Sequence, residues 1–325
     1  MFLARNLLSR GESLLKRNIR FMTQHRIMLL GAAGLVGQAI QHLAAQDGAF
    51  PDWKLGLFSR AECDITNPAA LRSAMQDFKP DLVINAACLA RIDGAEEDHE
   101  TADAVNFRAV AQMAAQCSAL DVPLIHLSTD YVFDGRQNAP YMPDDQMNPV
   151  SHYGQSRMMG EEAIRHETPF HVILRVSSVF GPFRRNLLTS TLKAIEEKDE
   201  LRVVNDIIAG PTSALDVAKA VIVIGTEILA GKTDGFGTFH LCGTPACSRY
   251  TFTEAVLKAY APHTKKHPRL TPIVSNDLPH LKLRPRYSAL ECSKIKNVYG
   301  IEQKTWQDGI DASLAILSNA GRMPR

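Results

Sequence analysis

The chain has 325 residues, 45% hydrophobic and 22% charged, an ordinary balance for a globular protein of one large or two moderate domains. Its formal net charge of +1 provides no global field for a polyanion, so nucleic acid is not an expected partner. The sequence contains no run of about 18 apolar residues, and no transmembrane segment is expected.

The six cysteines (Cys63, Cys88, Cys117, Cys242, Cys247 and Cys292) contain no C-x-x-C pair. This suits reduced thiols in a cytoplasmic protein better than disulfides or a zinc site, and no metal is expected. Residues 1–24 form a basic, amphipathic extension, with Arg5, Arg10, Lys16, Arg17 and Arg20 set among leucines. It reads as a membrane-surface helix, an organelle transit peptide or an inert tail ahead of a start at Met22.

From residue 27 to 173 apolar strands alternate with helices, the pattern of a Rossmann-type α/β fold with a doubly wound parallel sheet. Strands are predicted at 27–30, 54–58, 81–85, 123–128 and 171–175, with a short extra strand ending near Asp64. Helices are predicted at 36–45, 69–78, 101–120 and 153–165. Residues 25–175 then form a dinucleotide-binding domain. Residues 176–325 form mainly a smaller mixed α/β substrate lobe, interleaved with the first.

Gly31, Gly34 and Gly37 follow the first predicted strand and, with Leu35 and Val36, open a helix. That spacing permits a tight turn, close approach to a pyrophosphate and helix N–H groups aimed at it. The second strand ends in Ser59-Arg60 with no acid before Glu62, which predicts NADP(H) in preference to NAD(H), since a cation there suits a 2′-phosphate. Glu62 leaves NAD open, and a solvated surface arginine is the plainer alternative. Asp64 and Ile65 are placed for the adenine edge, and Asn85, Ala86 and Ala87 for a cofactor phosphate or ribose. Each is also what a strand-ending turn requires.

The segment Ser128-Thr129-Asp130-Tyr131-Val132-Phe133-Asp134-Gly135 brings hydroxyl groups to the carboxyl edge of the sheet, where open α/β proteins bind ligands. Tyr153 and Arg157 stand four apart on a predicted helix and share a face. A phenol with a pKa of about 10 is a useful acid toward a forming alkoxide only beside a cation that eases its return to phenolate. His126 lies in an apolar strand and reads as a core residue.

Together with Ile84-Asn85-Ala86-Ala87, Gly210-Pro211-Thr212, and Arg284-Pro285 before Leu290-Glu291, these segments resemble the extended short-chain dehydrogenase/reductases, and within them the dTDP-4-dehydrorhamnose reductase family. The resemblance implies hydride transfer from NADPH to the 4-keto carbon of a nucleotide-linked deoxysugar. It implies Tyr153 as the proton donor, Thr129 as the hydrogen-bond partner of the carbonyl oxygen, and Asp130, Tyr131, Val132 and Ser178 on the substrate side. Arg284 is a candidate for the substrate's diphosphate, with a surface salt bridge as the alternative; Arg184, Arg185 and Arg286 are weighed the same way.

Two positions depart from the family pattern. Arg157 stands where the family has lysine, and Ser178 where a tryptophan walls the sugar pocket. These departures keep a second reading open: a non-catalytic NADP-binding regulatory subunit resembling the methionine adenosyltransferase β subunit. A homodimer or a partner enzyme is the implied assembly.

Overall fold

Alternation along the first strand sets up the architecture. In β1 (His25–Leu30), Ile27 and Leu29 enter one hydrophobic core while Met28 and Leu30 enter another, all fully buried. The same split recurs in β3 (Leu82–Asn85), β4 (Leu124–Thr129) and β5 (His171–Val176), as expected of strands covered on both faces. With β2 (Trp53–Phe58) and β6 (Gly237–Leu241) they build one six-stranded parallel sheet in the order β6-β5-β4-β3-β1-β2. The computed structural model describes residues 24–46, 53–278, 281 and 283–324, so nearly all of the N-terminal extension lies outside the described residues.

Helices α1 (Leu35–Ala44), α2 (Pro68–Phe78), α3 (Ala109–Ala119), α4 (His152–Glu167) and α5 (Ala214–Leu229) surround the sheet. Ile40 of α1 and Val217, Val221 and Ile224 of α5 fill one core; Leu71 and Met75 of α2 with Val110 and Met113 of α3 fill the other. A third cluster, including Leu188, Leu192, Phe252, Val256 and Trp306, is separate from these two cores. The chain returns to the six-stranded sheet through α5 and β6.

The strand order has a functional consequence. From β1 the chain moves outward to β2 and then crosses back to β3 on the other side of β1. The connections after β1 and β3 therefore diverge, and a crevice opens at the carboxyl ends of these strands.

Two predicted elements are corrected. No strand forms before Asp64: its Oδ1 accepts from the Thr66 N–H and hydroxyl, and Asn67 then caps α2, so the segment is a turn. The predicted helix over 101–120 is interrupted by a π-helical turn, Ala104–Arg108, in which Asn106 bonds the backbone of Leu89 and the hydroxyl of Ser156. Among the described residues no helix is long and apolar enough to cross a membrane.

Candidate active site

Gly31 sits at φ +78°, and a Cβ there would lie 2.5 Å from the Ala87 nitrogen. A Cβ on Gly37 would lie 2.4 Å from the Gly31 oxygen. Only glycine permits this packing of turn, helix and β3 loop. Gly34 is the N-cap of α1, and no side chain caps that end, so its first-turn N–H groups remain suited to an anion.

The β3 loop is held from behind. Asn85 is fully buried; its Nδ2 donates to His126 Nδ1 at 2.9 Å and its Oδ1 accepts from the Ala87 N–H at 3.0 Å. The Asn85 side chain thus shapes the Ala86–Ala87 turn that faces Gly31. His126 lies in the core, where burial, followed by the Arg157 charge, holds its pKa well below the ordinary histidine value.

At the end of β2, the Ser59 N–H donates to Glu62 Oε2 at 2.9 Å, and the Ser59 hydroxyl donates to the same oxygen. Arg60 is exposed and lies 3.4 Å from Asp64. Ile65, expected near adenine, turns its side chain into the second core and is 7% exposed.

Helix α4, which carries Tyr153 and Arg157, is positioned by its first turn. Ser151 Oγ accepts from the Gly154 N–H, and Glu96 Oε1 accepts from the Tyr153 N–H. A Cβ on Gly154 would lie 2.1 Å from the Tyr131 oxygen, so glycine lets α4 settle directly on the loop after β4. The Tyr153 and Tyr131 rings meet edge to face at 5.7 Å. Burial leaves the Tyr153 phenol raised to about 12 even though the Arg157 charge and a hydrogen bond with Thr129 act to lower it.

Arg157 is 2% exposed. Its Nη2 donates to the Leu127 carbonyl, while Nε and Nη1 are buried without a partner. One turn further on, Glu161 accepts from the Ser128 hydroxyl at 2.5 Å, from Arg175 Nη2 at 2.7 Å and from Arg165 Nη2 at 2.6 Å.

Two residues assigned to the substrate side face inward. Asp130 is 1% exposed: its Oδ2 accepts from Ser177 Oγ at 2.7 Å and Ser288 Oγ at 2.6 Å, and its Oδ1 from Thr129 Oγ1 at 3.1 Å. Val132 is fully buried in the first core. Both are buried in the short 3-10 turn Asp130–Val132, while Tyr131 between them lines a cavity.

Tyr131, Ser178 and Arg284 do come together, lining a cavity of about 90 Å3 with Arg249 and Ser288. Arg284 Nη2 donates to Asp93 Oδ1 at 2.5 Å, and its Nη1 is buried without a partner. Arg185 lines an adjoining groove of about 960 Å3, whereas Arg286 bonds Asn276. Sequence reasoning assigned no role to Ser177 or Glu161, which stand beside expected site residues in the chain, nor to Ser288 and Arg249, which come from distant segments.

Similarity to known proteins follows this geometry. The model of the RmlD substrate binding domain family matches residues 25–319. A dTDP-4-dehydrorhamnose reductase of Aggregatibacter actinomycetemcomitans is 34% identical over 87% of this chain and 96% of its own length. One of Sinorhizobium fredii is 35% identical over 86% and 95%. A crystal structure of a dTDP-4-dehydrorhamnose reductase from Clostridium acetobutylicum superposes with a TM-score of 0.82 at 27% identity, covering 90% of this chain and 99% of that one. A Bacillus anthracis dTDP-4-dehydrorhamnose reductase in complex with NADP has a TM-score of 0.81 at 24% identity, covering 90% and 100%, and shares the fold. A glycine turn at the switch point, a Thr-Tyr pair beside it and a family match over residues 25–319 all lead to one assignment: the chain belongs to the RmlD-like family of dTDP-4-dehydrorhamnose reductases.

Proposed function

We propose that this protein uses NADPH to reduce the 4-keto group of a nucleotide-activated deoxysugar, the dTDP-4-dehydrorhamnose reductase reaction of dTDP-rhamnose biosynthesis. The observation that carries the reading is the meeting of Thr129, Tyr153 and Arg157 at the carboxyl end of the sheet, beside the crevice between β1 and β3. The nicotinamide cofactor, when bound, supplies the hydride.

The chain's own residues supply the rest. Thr129 Oγ1 holds the carbonyl oxygen, and Tyr153 transfers its phenolic proton to that oxygen as negative charge develops. The Arg157 guanidinium stabilises the phenolate left behind, and its unpartnered Nε and Nη1 suit the hydroxyls of a cofactor ribose. Gly31, Gly34, Leu35, Val36 and Gly37 hold the pyrophosphate, with Ala86 and Ala87 opposite. Ser59, Arg60 and Asp64 take the adenosine end, and Arg60 favours NADP(H).

Residues 176–325 mainly supply the substrate side, where Tyr131, Ser178 and Arg284 line the sugar cavity and Arg284 reaches the diphosphate. Ser178 in place of a large ring leaves room beside the sugar. The protein acts in the cytoplasm, as a homodimer or beside a partner enzyme.

The test follows NADPH absorbance with dTDP-4-dehydrorhamnose. Turnover is expected in the native chain, with a loss of roughly 10²–10⁴-fold in Tyr153→Phe. A native chain that binds NADPH but turns over no 4-keto sugar nucleotide is instead a cofactor-binding regulatory protein.

A further inference from the structure

The small cavity beside Tyr131 and the large groove next to it adjoin, with Leu187, Arg249 and Leu281 lining both. Of these three, only Arg249 carries a charge. It is the first residue of the helix Arg249–Tyr260, behind the cap Ser248, whose Oγ accepts from the Thr251 N–H at 3.0 Å. Arg249 is exposed and makes no ion pair or hydrogen bond among the described residues.

The groove is basic in a chain whose overall charge is close to zero. Arg91, Arg185, Lys198, Arg202 and Arg249 line it, against Asp93 and Glu200. Both carboxylates are already engaged, Asp93 by Arg284 at 2.5 Å and Glu200 by Arg269 at 2.7 Å. The inner cavity adds Arg284, whose side chain is 10% exposed and whose Nη1 has no partner. Arg249 and Arg284 both stand close enough to the Tyr131 phenol for their charges to act on it.

Substrate geometry gives this arrangement a direction. In a pyranose, C4 and C1 lie at opposite ends of the ring. The Tyr153 ring packs edge to face on Tyr131, which lines the cavity; with C4 held at Tyr153 and Thr129, the anomeric oxygen and its phosphate point away from Tyr153, into the space that Arg249 also lines. Arginine's planar fork matches two phosphate oxygens at once, and a guanidinium with no carboxylate partner brings its full charge to them.

We propose that Arg249 fixes the sugar-linked phosphate of a nucleoside diphosphate sugar at the junction of cavity and groove, with the nucleoside lying along the groove. This rests on the reductase reading for the orientation of the sugar. Arg249 is a binding residue in this account and takes no part in the proton transfer.

The test measures binding of dTDP, dTMP and thymidine to the full chain loaded with NADPH, for the native protein, Arg249→Gln and Arg249→Lys. Only dTDP carries a phosphate in the sugar-linked position. Arg249→Gln is expected to weaken dTDP roughly ten- to hundredfold while leaving dTMP, thymidine and NADPH within about twofold, with Arg249→Lys between the two. In turnover, KM for the sugar nucleotide rises by a similar factor while kcat stays within about threefold. An unchanged dTDP affinity overturns the proposal, and so does an equal loss for dTDP and dTMP, which would assign Arg249 to the inner phosphate or to local structure. Selective loss of dTDP binding in a chain that reduces no sugar nucleotide would keep the phosphate subsite and remove the reductase reading.

Discussion

Arg157 reaches the carbonyl of Leu127 with one arm of its guanidinium and keeps two further nitrogens buried and unpaired, an arrangement a lysine ammonium cannot reproduce. Its charge opposes the effect of burial on the Tyr153 phenol. Removing that charge while keeping the length, as in Arg157→Met, is expected to lower kcat by about two orders of magnitude. Arg157→Lys should remain within roughly tenfold of the native rate, because a cation is restored beside the phenol. Single-turnover measurement of NADPH oxidation separates the two, and a methionine variant with native kcat would remove Arg157 from the mechanism. The Tyr153–Arg157 pairing was legible in the sequence because helical spacing fixes a shared face. The inward turn of Asp130 was not, because its partners Ser177 and Ser288 lie far along the chain and reach it only through tertiary packing.

Helix α4 is tied to the sheet by one buried carboxylate, and that tie also carries Tyr153. Glu161 links Ser128 on β4 to Arg175 on β5, and every oxygen it offers is used. Burial alone would raise its pKa, but the Arg175 charge and hydrogen bonds, joined by Arg165, outweigh burial and hold it at about 2, against 4.5 in the unfolded chain. Because the folded value is the lower one, the stabilisation is fully present above pH 4.5 and is lost as pH falls toward 2; it amounts to about 3 kcal/mol. Glu161→Gln strands the Arg175 charge and is expected to cost about 3–5 kcal/mol at neutral pH. Urea denaturation at several pH values checks both: the native chain should lose stability steeply below pH 4.5 and the variant should do so much less. Equal acid slopes would show that other carboxylates govern the transition. At this scale the sequence showed the buried strands well, since parallel strands covered on both faces are nearly continuous apolar runs. It did not show β6, where Thr238 and His240 interrupt the apolar run, nor the turn at Asp64, whose side chain competes with extended backbone for the same N–H groups.

For the molecule as a whole, the cofactor crevice and the fold's stability are one linked equilibrium. The Gly31 turn, the Ala86–Ala87 loop and the Ser59–Glu62 loop end three different strands, and all three must be in place before a dinucleotide can span them. A ligand that binds only this folded arrangement raises its stability, by about 2.7 kcal/mol at a hundred times its dissociation constant. NADP+ and NAD+ at equal concentration therefore report their relative affinities as shifts in thermal midpoint, without any substrate. The basic Arg60 predicts the larger shift for NADP+, and Arg60→Ala should bring that shift down toward the NAD+ value while leaving the NAD+ shift unchanged. The competing outcome has an equally definite cause. Glu62 already accepts from both the N–H and the hydroxyl of Ser59, and Arg60 leans toward Asp64. If NAD+ gives the larger shift, the carboxylate of Glu62 is the ribose partner, and its hydrogen bonds to Ser59 hold it in place to receive a 2′-hydroxyl.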